Sequence, residues 1–193
     1  MRIWTIGHST RAIDEFISLL EESEIKLLVD VRAWPGSKRY PHFNKDALAE
    51  SLNAHGIRYE HFPELGGKRK SKPDSRNTAW RNASFRGYAD YMETEQVQKG
   101  VERLLAFARS DPESIRGRNE RDCGEAVIPS AIAIMCAEAV WWRCHRSLIA
   151  DYLKARGVEV LHILGANKVD PHPYTPAARI VNGELSYAAE SLL

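Results

Sequence analysis

Short apolar runs alternate with amphipathic stretches along most of this chain. Short runs of apolar, β-branched and aromatic residues predict β-strands at residues 3–6, 27–31, 57–62, 131–136 and 158–163, and those at 27–31 and 131–136 are apolar enough to be buried on both faces. Between them, apolar side chains recur at helical spacing, first at Phe16, Ile17 and Leu20. Strands that alternate with helices favour parallel pairing through right-handed crossovers. The pattern therefore predicts one layered α/β domain over residues 1–193, with a mainly parallel central sheet flanked by helices.

Two long stretches lack this periodicity. Residues 63–84 are rich in Gly, Pro, Ser and Asn and predict a long basic loop. Residues 110–129 are polar and contain both Gly and Pro, which predicts a flexible loop. Near the end of the chain, Asn182-Gly183 separates two short strand-like runs and predicts a hairpin turn within an otherwise loop-like tail.

Polar residues follow three of the predicted strands at the point where each strand ends. These residues are His8, Ser9, Asp30, Arg32, Cys136 and Glu138. Ligands of parallel α/β sheets bind beyond the carboxyl ends of the strands. We therefore predict one polar, anion-accepting site at that end of the sheet, with Ser9, Asp30 and Arg32 binding substrate. Asp30 and Arg32 lie two residues apart on one strand face, where a purely structural ion pair is the alternative.

The segment Cys144-His145-Arg146 opens a predicted helix. Unpaired N–H groups at a helix N-terminus attract anions and lower the pKa of a thiol. We therefore predict Cys144 as the nucleophile of a covalent reaction, His145 or His8 as acid–base, and Glu138 as orienter or base. Arg146 would join Arg32 in binding the anion. The alternative is that Cys144 is a small buried residue and that Arg146 pairs with Glu138 or Asp151.

Cys136, Cys144 and His145, together with His8, also have the ligand types that zinc prefers. The spacing argues against zinc, because the chain has no CxxC or HxxxH element and adjacent ligands diverge on a helix. No metal ligand is therefore predicted, and the cofactor is left open.

Composition is that of an ordinary water-soluble protein, with 44% hydrophobic and 27% charged residues among 193. No apolar run approaches the length of a membrane span, and the start lacks the pattern of a signal peptide. Three cysteines, an odd number, fit a reducing compartment better than a disulfide framework. These features predict a cytoplasmic protein without a membrane partner.

The net charge is only +1, yet the Lys and Arg residues are unevenly distributed along the chain. Residues 66–86 carry seven Lys and Arg side chains against Asp74 alone, interleaved with Trp80 and Phe85. Cations alternating with aromatic rings are typical of single-stranded nucleic-acid binding. A solvated basic loop is the plainer interpretation of the same segment.

Several stretches resemble the domain-of-unknown-function 488 family, namely TIGHST, VDVRAWPGSKRYPHFN, CAEAVWWRCHR and PHPYTPAARI. The resemblance spans residues 5–187 and implies a prokaryotic, cytosolic α/β domain whose activity is not established. The polar positions of the family correspond here to Gly7, His8, Ser9, Asp30, Arg32, Pro35, Asn44, Gly66, Gly67, Cys136, Glu138, Cys144, His145 and Arg146.

The leading hypothesis is an enzyme acting on a small phosphorylated or nucleotide-like substrate. Two alternatives remain open: a nucleic-acid-binding module that uses residues 66–86, and a metal-dependent hydrolase.

Overall fold

The protein, described by a computed structural model, forms eight strands and five α-helices within residues 1–109 and 131–189. The strands are β1 (Arg2–Gly7), β2 (Leu27–Asp30), β3 (Arg58–His61), β4 (Ile132–Cys136), β5 (Glu159–Gly165), β6 (Lys168–Pro171), β7 (Arg179–Val181) and β8 (Glu184–Ser186). The helices are α1 (Ile13–Glu22), α2 (Lys45–Ala54), α3 (Ala83–Met92), α4 (Glu95–Arg109) and α5 (Arg146–Ala155). The flexible loop predicted at 110–129 lies outside the described residues.

A six-stranded sheet in the order β3-β2-β4-β1-β5-β6 forms the centre of the fold. The first five strands are parallel, and β6 adds an antiparallel edge. The predicted α/β fold with a mainly parallel sheet is therefore confirmed. β6 was not predicted, because a strand that ends in Pro171 reads as a loop, although proline is tolerated on an edge strand.

Alternate side chains of the buried strands pack into two separate hydrophobic cores, one on each face of the sheet. In β4, Ile132 and Ile134 pack with helices α3, α4 and α5, whereas Ala133 and Met135 pack with α1 and α2 on the other face. This alternation follows from the two-residue period of a strand. Helices thus cover both faces of the sheet, as a buried parallel sheet requires.

The tail contains the hairpin that the Asn-Gly pair predicts. β7 and β8 pair antiparallel, and both turn residues adopt left-handed backbone, with φ of 51° at Asn182 and 84° at Gly183. These are the torsion signs of a tight two-residue hairpin turn.

The strand order determines which residues are neighbours at the carboxyl end of the sheet. β4 pairs with β1 on one side and with β2 on the other, so Gly7 lies opposite Cys136 and Asp30 opposite Met135. The backbone continues this pairing past the strands, since His8 N–H donates to the Cys136 carbonyl at 3.1 Å. The predicted meeting of three polar strand ends is therefore confirmed. None of the helices in the described part of the chain is long and apolar enough to cross a membrane.

Candidate functional site

A cleft of about 550 Å³ opens at the carboxyl ends of β2 and β4. Its lining includes Cys136, Glu138, Cys144 and His145, together with Lys68. A neighbouring cleft contains His8 and Ser9 and shares Arg32, Trp34, Glu138 and Arg143 with the first. Together the two form one groove, which we call the strand-end groove. Six of the eight predicted site residues line it: His8, Ser9, Arg32, Glu138, Cys144 and His145. Asp30 and Arg146 are buried beside it.

Two thiols and an imidazole converge at the centre of the groove, and we call them the Cys–His cluster. His145 Nδ1 lies 3.7 Å from Cys144 Sγ and 3.9 Å from Cys136 Sγ. The three atoms all lie within 4.8 Å of one another. The expectation that Cys144 and His145 diverge is wrong, because Cys144 precedes the helix in extended backbone, with φ −129° and ψ 146°.

The backbone orients the His145 ring. Nε2 lies 3.2 Å from the carbonyl oxygen of Val31, which accepts a hydrogen bond from that nitrogen and leaves the Nδ1 lone pair for the sulfurs. Val31 is itself held, since its N–H donates to the Met135 carbonyl at 2.9 Å. Space for the ring comes from Gly67, where an added Cβ would lie 2.7 Å from His145 Nδ1.

The two thiols have opposite tendencies to ionise. The hydrogen bond with Cys144, together with burial, raises the pKa of Cys136 well above its usual value. Burial alone would raise the pKa of Cys144, but the hydrogen bond from Cys136, the adjacent His145 ring and the charge of Arg146 outweigh it and hold that pKa well below the usual value. Cys144 is therefore the more acidic thiol of the pair.

Arg146 lies beneath the cluster and is only 1% exposed. Its backbone N–H and its Nε donate to Cys144 Sγ at 3.5 and 3.4 Å. Nη2 donates to the Glu138 carbonyl at 2.5 Å, and Nη1 to Thr5 Oγ1 at 3.4 Å. The predicted side-chain pairing with Glu138 or Asp151 is absent from these contacts. The geometry favours a role in holding the Cys144 sulfur over the direct contact with substrate that the sequence predicts.

Asp30 and Arg32 form a buried ion pair at the end of β2. Arg32 Nη2 and Nε contact the Asp30 carboxylate at 2.6 to 3.1 Å, and the Tyr59 hydroxyl donates to the same carboxylate at 2.7 Å. Burial alone would lower the pKa of Arg32, but Asp30 outweighs it and raises that pKa. Asp30 lies behind Arg32 and orients it towards the groove, whereas the predicted direct binding of substrate by Asp30 stays a prediction.

His8 is a neutral acceptor beside Arg32. Its Nδ1 lies 3.0 Å from the Ser9 carbonyl and its Nε2 lies 3.3 Å from Arg32 Nη1, so Nδ1 carries the proton. Burial, followed by the charge of Arg32, lowers the pKa of His8 to about 4. The ring also stacks on Phe43 with centroids 4.2 Å apart. A role for His8 as an acid at neutral pH is not favoured by these contacts, and its role as a base stays a prediction.

Several groove residues were missed as site candidates. Arg143 and Trp34 line both halves of the groove, and Trp34 is 72% exposed. The sequence signals were present, since both residues stand in loops that directly follow or precede predicted site residues.

The basic segment 66–86 is partly committed to internal contacts. Arg69 lies over the Tyr91 ring at 3.8 Å, Lys72 pairs with Glu93 at 3.6 Å, and Trp80 stacks on Phe85 at 4.8 Å. The nucleic-acid hypothesis stays a prediction, but these contacts leave fewer cations and rings free than the sequence suggests.

Fold and site together define an α/β protein with a thiol–imidazole cluster at the carboxyl end of a mainly parallel sheet. A family model described as "Domain of unknown function DUF488" matches residues 12–115 and 118–153. The match covers more than half of the chain, so the protein belongs to this family, as the resemblance implies. Comparison with curated proteins and with solved structures gave no match.

Proposed function

We propose that this protein is an enzyme that hydrolyses a small phosphorylated or nucleotide-like molecule in the strand-end groove. The observation that supports this most is the charge of the groove. Arg32, Lys68 and Arg143 line it, and Glu138 is the one carboxylate among its described lining residues. Cations that converge on a concave, partly desolvated surface attract phosphate groups.

Exposed aromatic rings support the nucleotide-like part of the proposal. Trp34 is largely exposed and lines both halves of the groove, and Lys68 lies 5.9 Å from its ring centroid. Phe85 lines the half that contains the Cys–His cluster. A flat base or similar ring would stack on such a surface while its phosphates reach the cations.

Backbone conformation at the groove also supports a binding role. Ser9 and Lys68 have positive φ values of 51° and 62°, which side-chain-bearing residues rarely adopt. Residues held in sparsely populated conformations cluster at binding and catalytic sites. Ser9 lines one half of the groove and Lys68 lines the other.

Roles follow from which atoms face the substrate. Arg143, Lys68 and the Nη1 edge of Arg32 would bind the phosphates, since the other nitrogens of Arg32 contact Asp30 and the Phe43 carbonyl. The Cys–His cluster would be the reactive centre, with Glu138 beside it. In the hydrolysis, the bond to the leaving group breaks, and water supplies a hydroxyl to one fragment and a proton to the other.

Calorimetric titration with ADP tests the binding half of this proposal. We expect Lys68→Ala and Arg143→Ala each to weaken ADP binding by roughly tenfold or more, because a charge-assisted hydrogen bond contributes about 1.5–3 kcal/mol. Lys70→Ala is the matched control, since Lys70 is exposed and lies outside the groove. Release of phosphate or base from a nucleotide panel then tests turnover.

Absence of ADP binding to the wild-type protein would contradict the proposal. So would equal losses in Lys68→Ala and Lys70→Ala, accompanied by tight, steeply salt-dependent binding of oligonucleotides. That result would favour the nucleic-acid hypothesis instead.

A further inference from the structure

The Cys–His cluster has the dimensions of a metal site. In a tetrahedral zinc site, Zn–S bonds of about 2.3 Å and Zn–N bonds of about 2.0–2.1 Å place sulfur and nitrogen roughly 3.5–3.6 Å apart. His145 Nδ1 lies 3.7 Å from one sulfur and 3.9 Å from the other. The geometry points to Cys136, Cys144 and His145 as ligands of a Zn²⁺ ion, since the two nitrogen–sulfur distances differ from those of a zinc site by only a few tenths of an ångström.

The surroundings of the three ligands are those of a metal centre. A metal-binding histidine commonly donates its other ring N–H to a carbonyl or carboxylate, which fixes the tautomer. Here His145 Nε2 meets the Val31 carbonyl and Nδ1 faces both sulfurs. The backbone N–H and Nε of Arg146 donate to Cys144 Sγ, and such donors stabilise a thiolate ligand.

The number of ligands distinguishes a catalytic ion from a structural one. No fourth His, Cys, Asp or Glu joins the group within residues 1–109 and 131–189. Structural zinc sites use four protein ligands, whereas catalytic sites use three and leave the fourth position to water or substrate. All three ligands line the groove, so a fourth ligand such as water or substrate would reach the ion from there.

The choice of zinc follows from ligand chemistry. Two thiolates and one imidazole are soft and borderline ligands, which suit zinc better than magnesium, calcium or manganese. With two thiolates the ion is neutralised, and buried Arg146 adds a positive charge beneath Cys144. An ion in this place would activate a water for the proposed hydrolysis, and Glu138 lies on the same wall to accept the released proton.

This inference deepens the proposed function and rests on it for the reaction, but ion binding does not require substrate. It also changes the role of Cys144 from attacking nucleophile to metal ligand. The hypothesis of a metal-dependent hydrolase and that of a phosphate-binding enzyme thereby describe the same groove.

Cobalt titration of the reduced, chelator-treated full chain tests the site. We expect one Co²⁺ per chain, with the visible bands of a tetrahedral ion and sulfur-to-cobalt charge-transfer bands, both removed by one equivalent of Zn²⁺. Cys136→Ser and Cys144→Ser should each weaken binding by at least about 100-fold, because loss of a second-shell partner alone costs about 10–100-fold. Cys123→Ser, at a position outside the described residues, is the control and should leave the bands unchanged.

Circular dichroism of each variant reports whether it folds. If a cysteine variant fails to fold, His145→Asn keeps the test decisive, because His145 is only partly buried. Free reaction of both thiols with a thiol reagent in the presence of Co²⁺, without charge-transfer bands, would overturn the inference. Loss of the bands in Cys123→Ser would overturn the open fourth position.

The experiments can contradict either proposal while the other stands. Cobalt binding without ADP binding would contradict the proposed substrate and leave the metal site standing. ADP binding lost with Lys68→Ala, but without any metal binding, would contradict the metal site alone.

Discussion

Two histidine-containing clusters lie on opposite sides of Arg146, and they differ in how completely their polar atoms are paired. In the one we call the closed cluster, Thr5 Oγ1, His162, His172 and Asp151 form a continuous chain with contacts of 2.7, 2.9 and 3.0 Å. Every member is buried, and Trp141 stacks on His162 with centroids 4.5 Å apart. In the Cys–His cluster the contacts are 3.7 and 3.9 Å, and the three atoms face a groove.

The difference shows what separates a structural cluster from a candidate site. Asp151 accepts from His172, from the Thr175 N–H and hydroxyl, and from the Tyr187 hydroxyl, so it joins α5 to the tail of the chain. Each ring nitrogen of His162 and His172 has a partner. Buried polar groups that satisfy one another stabilise a unique packing but offer nothing to a ligand. In the Cys–His cluster, by contrast, Nδ1 of His145 and both sulfurs lie together at the groove.

The two clusters are connected through Thr5 and Arg146. Thr5 Oγ1 contacts His162 on one side and Arg146 on the other, and Arg146 Nε reaches Cys144. An added Cβ at Gly7 would collide with the Glu138 carbonyl and lie 2.8 Å from Arg146 Nη2, so close packing of β1 fixes the same guanidinium.

The largest expected effect comes from removing the charge at the centre of the closed cluster. Asp151→Asn should lower the free energy of unfolding by about 3 kcal/mol, because it leaves several buried donors without their acceptor. Urea denaturation measures this loss, and exposed Asp74→Asn is the control. Cobalt affinity of the folded fraction should stay close to that of the wild type. A stable variant that loses cobalt would contradict the division between the two clusters.

A smaller effect is expected from crowding the Cys–His cluster without touching a ligand. Gly67→Ala would place a Cβ 2.7 Å from His145 Nδ1 and should weaken cobalt binding by about 10–100-fold. Gly36→Ala is the matched control in the same groove, because nothing lies within 4 Å of its Cβ position. Equal cobalt affinities in the two variants would show that His145 does not bind the ion.

The smallest effect is a dependence of stability on pH. Burial, followed by the charges of His172 and Arg146, lowers the pKa of His162 to about 3, and burial with Arg32 lowers that of His8 to about 4. At pH values below about 6.5, the ordinary pKa of a histidine, the unfolded chain therefore binds protons more readily than the folded protein does. Stability should be full above that pH and fall as the pH drops towards 4, by at most about 1.4 kcal/mol per pH unit for each histidine.

Urea denaturation at pH 7, 6 and 5 measures this slope. His162→Gln should lower stability at pH 7 and flatten the slope, since one of the two buried neutral rings is gone. A slope that is unchanged in His162→Gln would contradict the assignment of a neutral, buried His162.

Much of the fold could be predicted because it depends on local periodicity. Short apolar runs and helical spacing indicated five strands and their helices, and Asn182-Gly183 indicated the final hairpin, whose left-handed turn residues suit this pair. The rule that ligands bind at the carboxyl ends of parallel strands also indicated which residues lie at the groove. These features require no knowledge of distant contacts.

Only the tertiary structure decided which of those residues meet. The insertion of β4 between β1 and β2 brings Cys136 next to Gly7 and Met135 next to Asp30, and it depends on a strand order that the local pattern does not carry. Cys144 and His145 converge because the backbone of Cys144 is extended before α5 begins. The contact of His145 with the Val31 carbonyl and that of Arg146 with the Cys144 sulfur accompany this conformation. The closed cluster joins Thr5 to residues more than 140 positions away. Local sequence determines backbone periodicity, whereas packing across the sheet determines which side chains share a site.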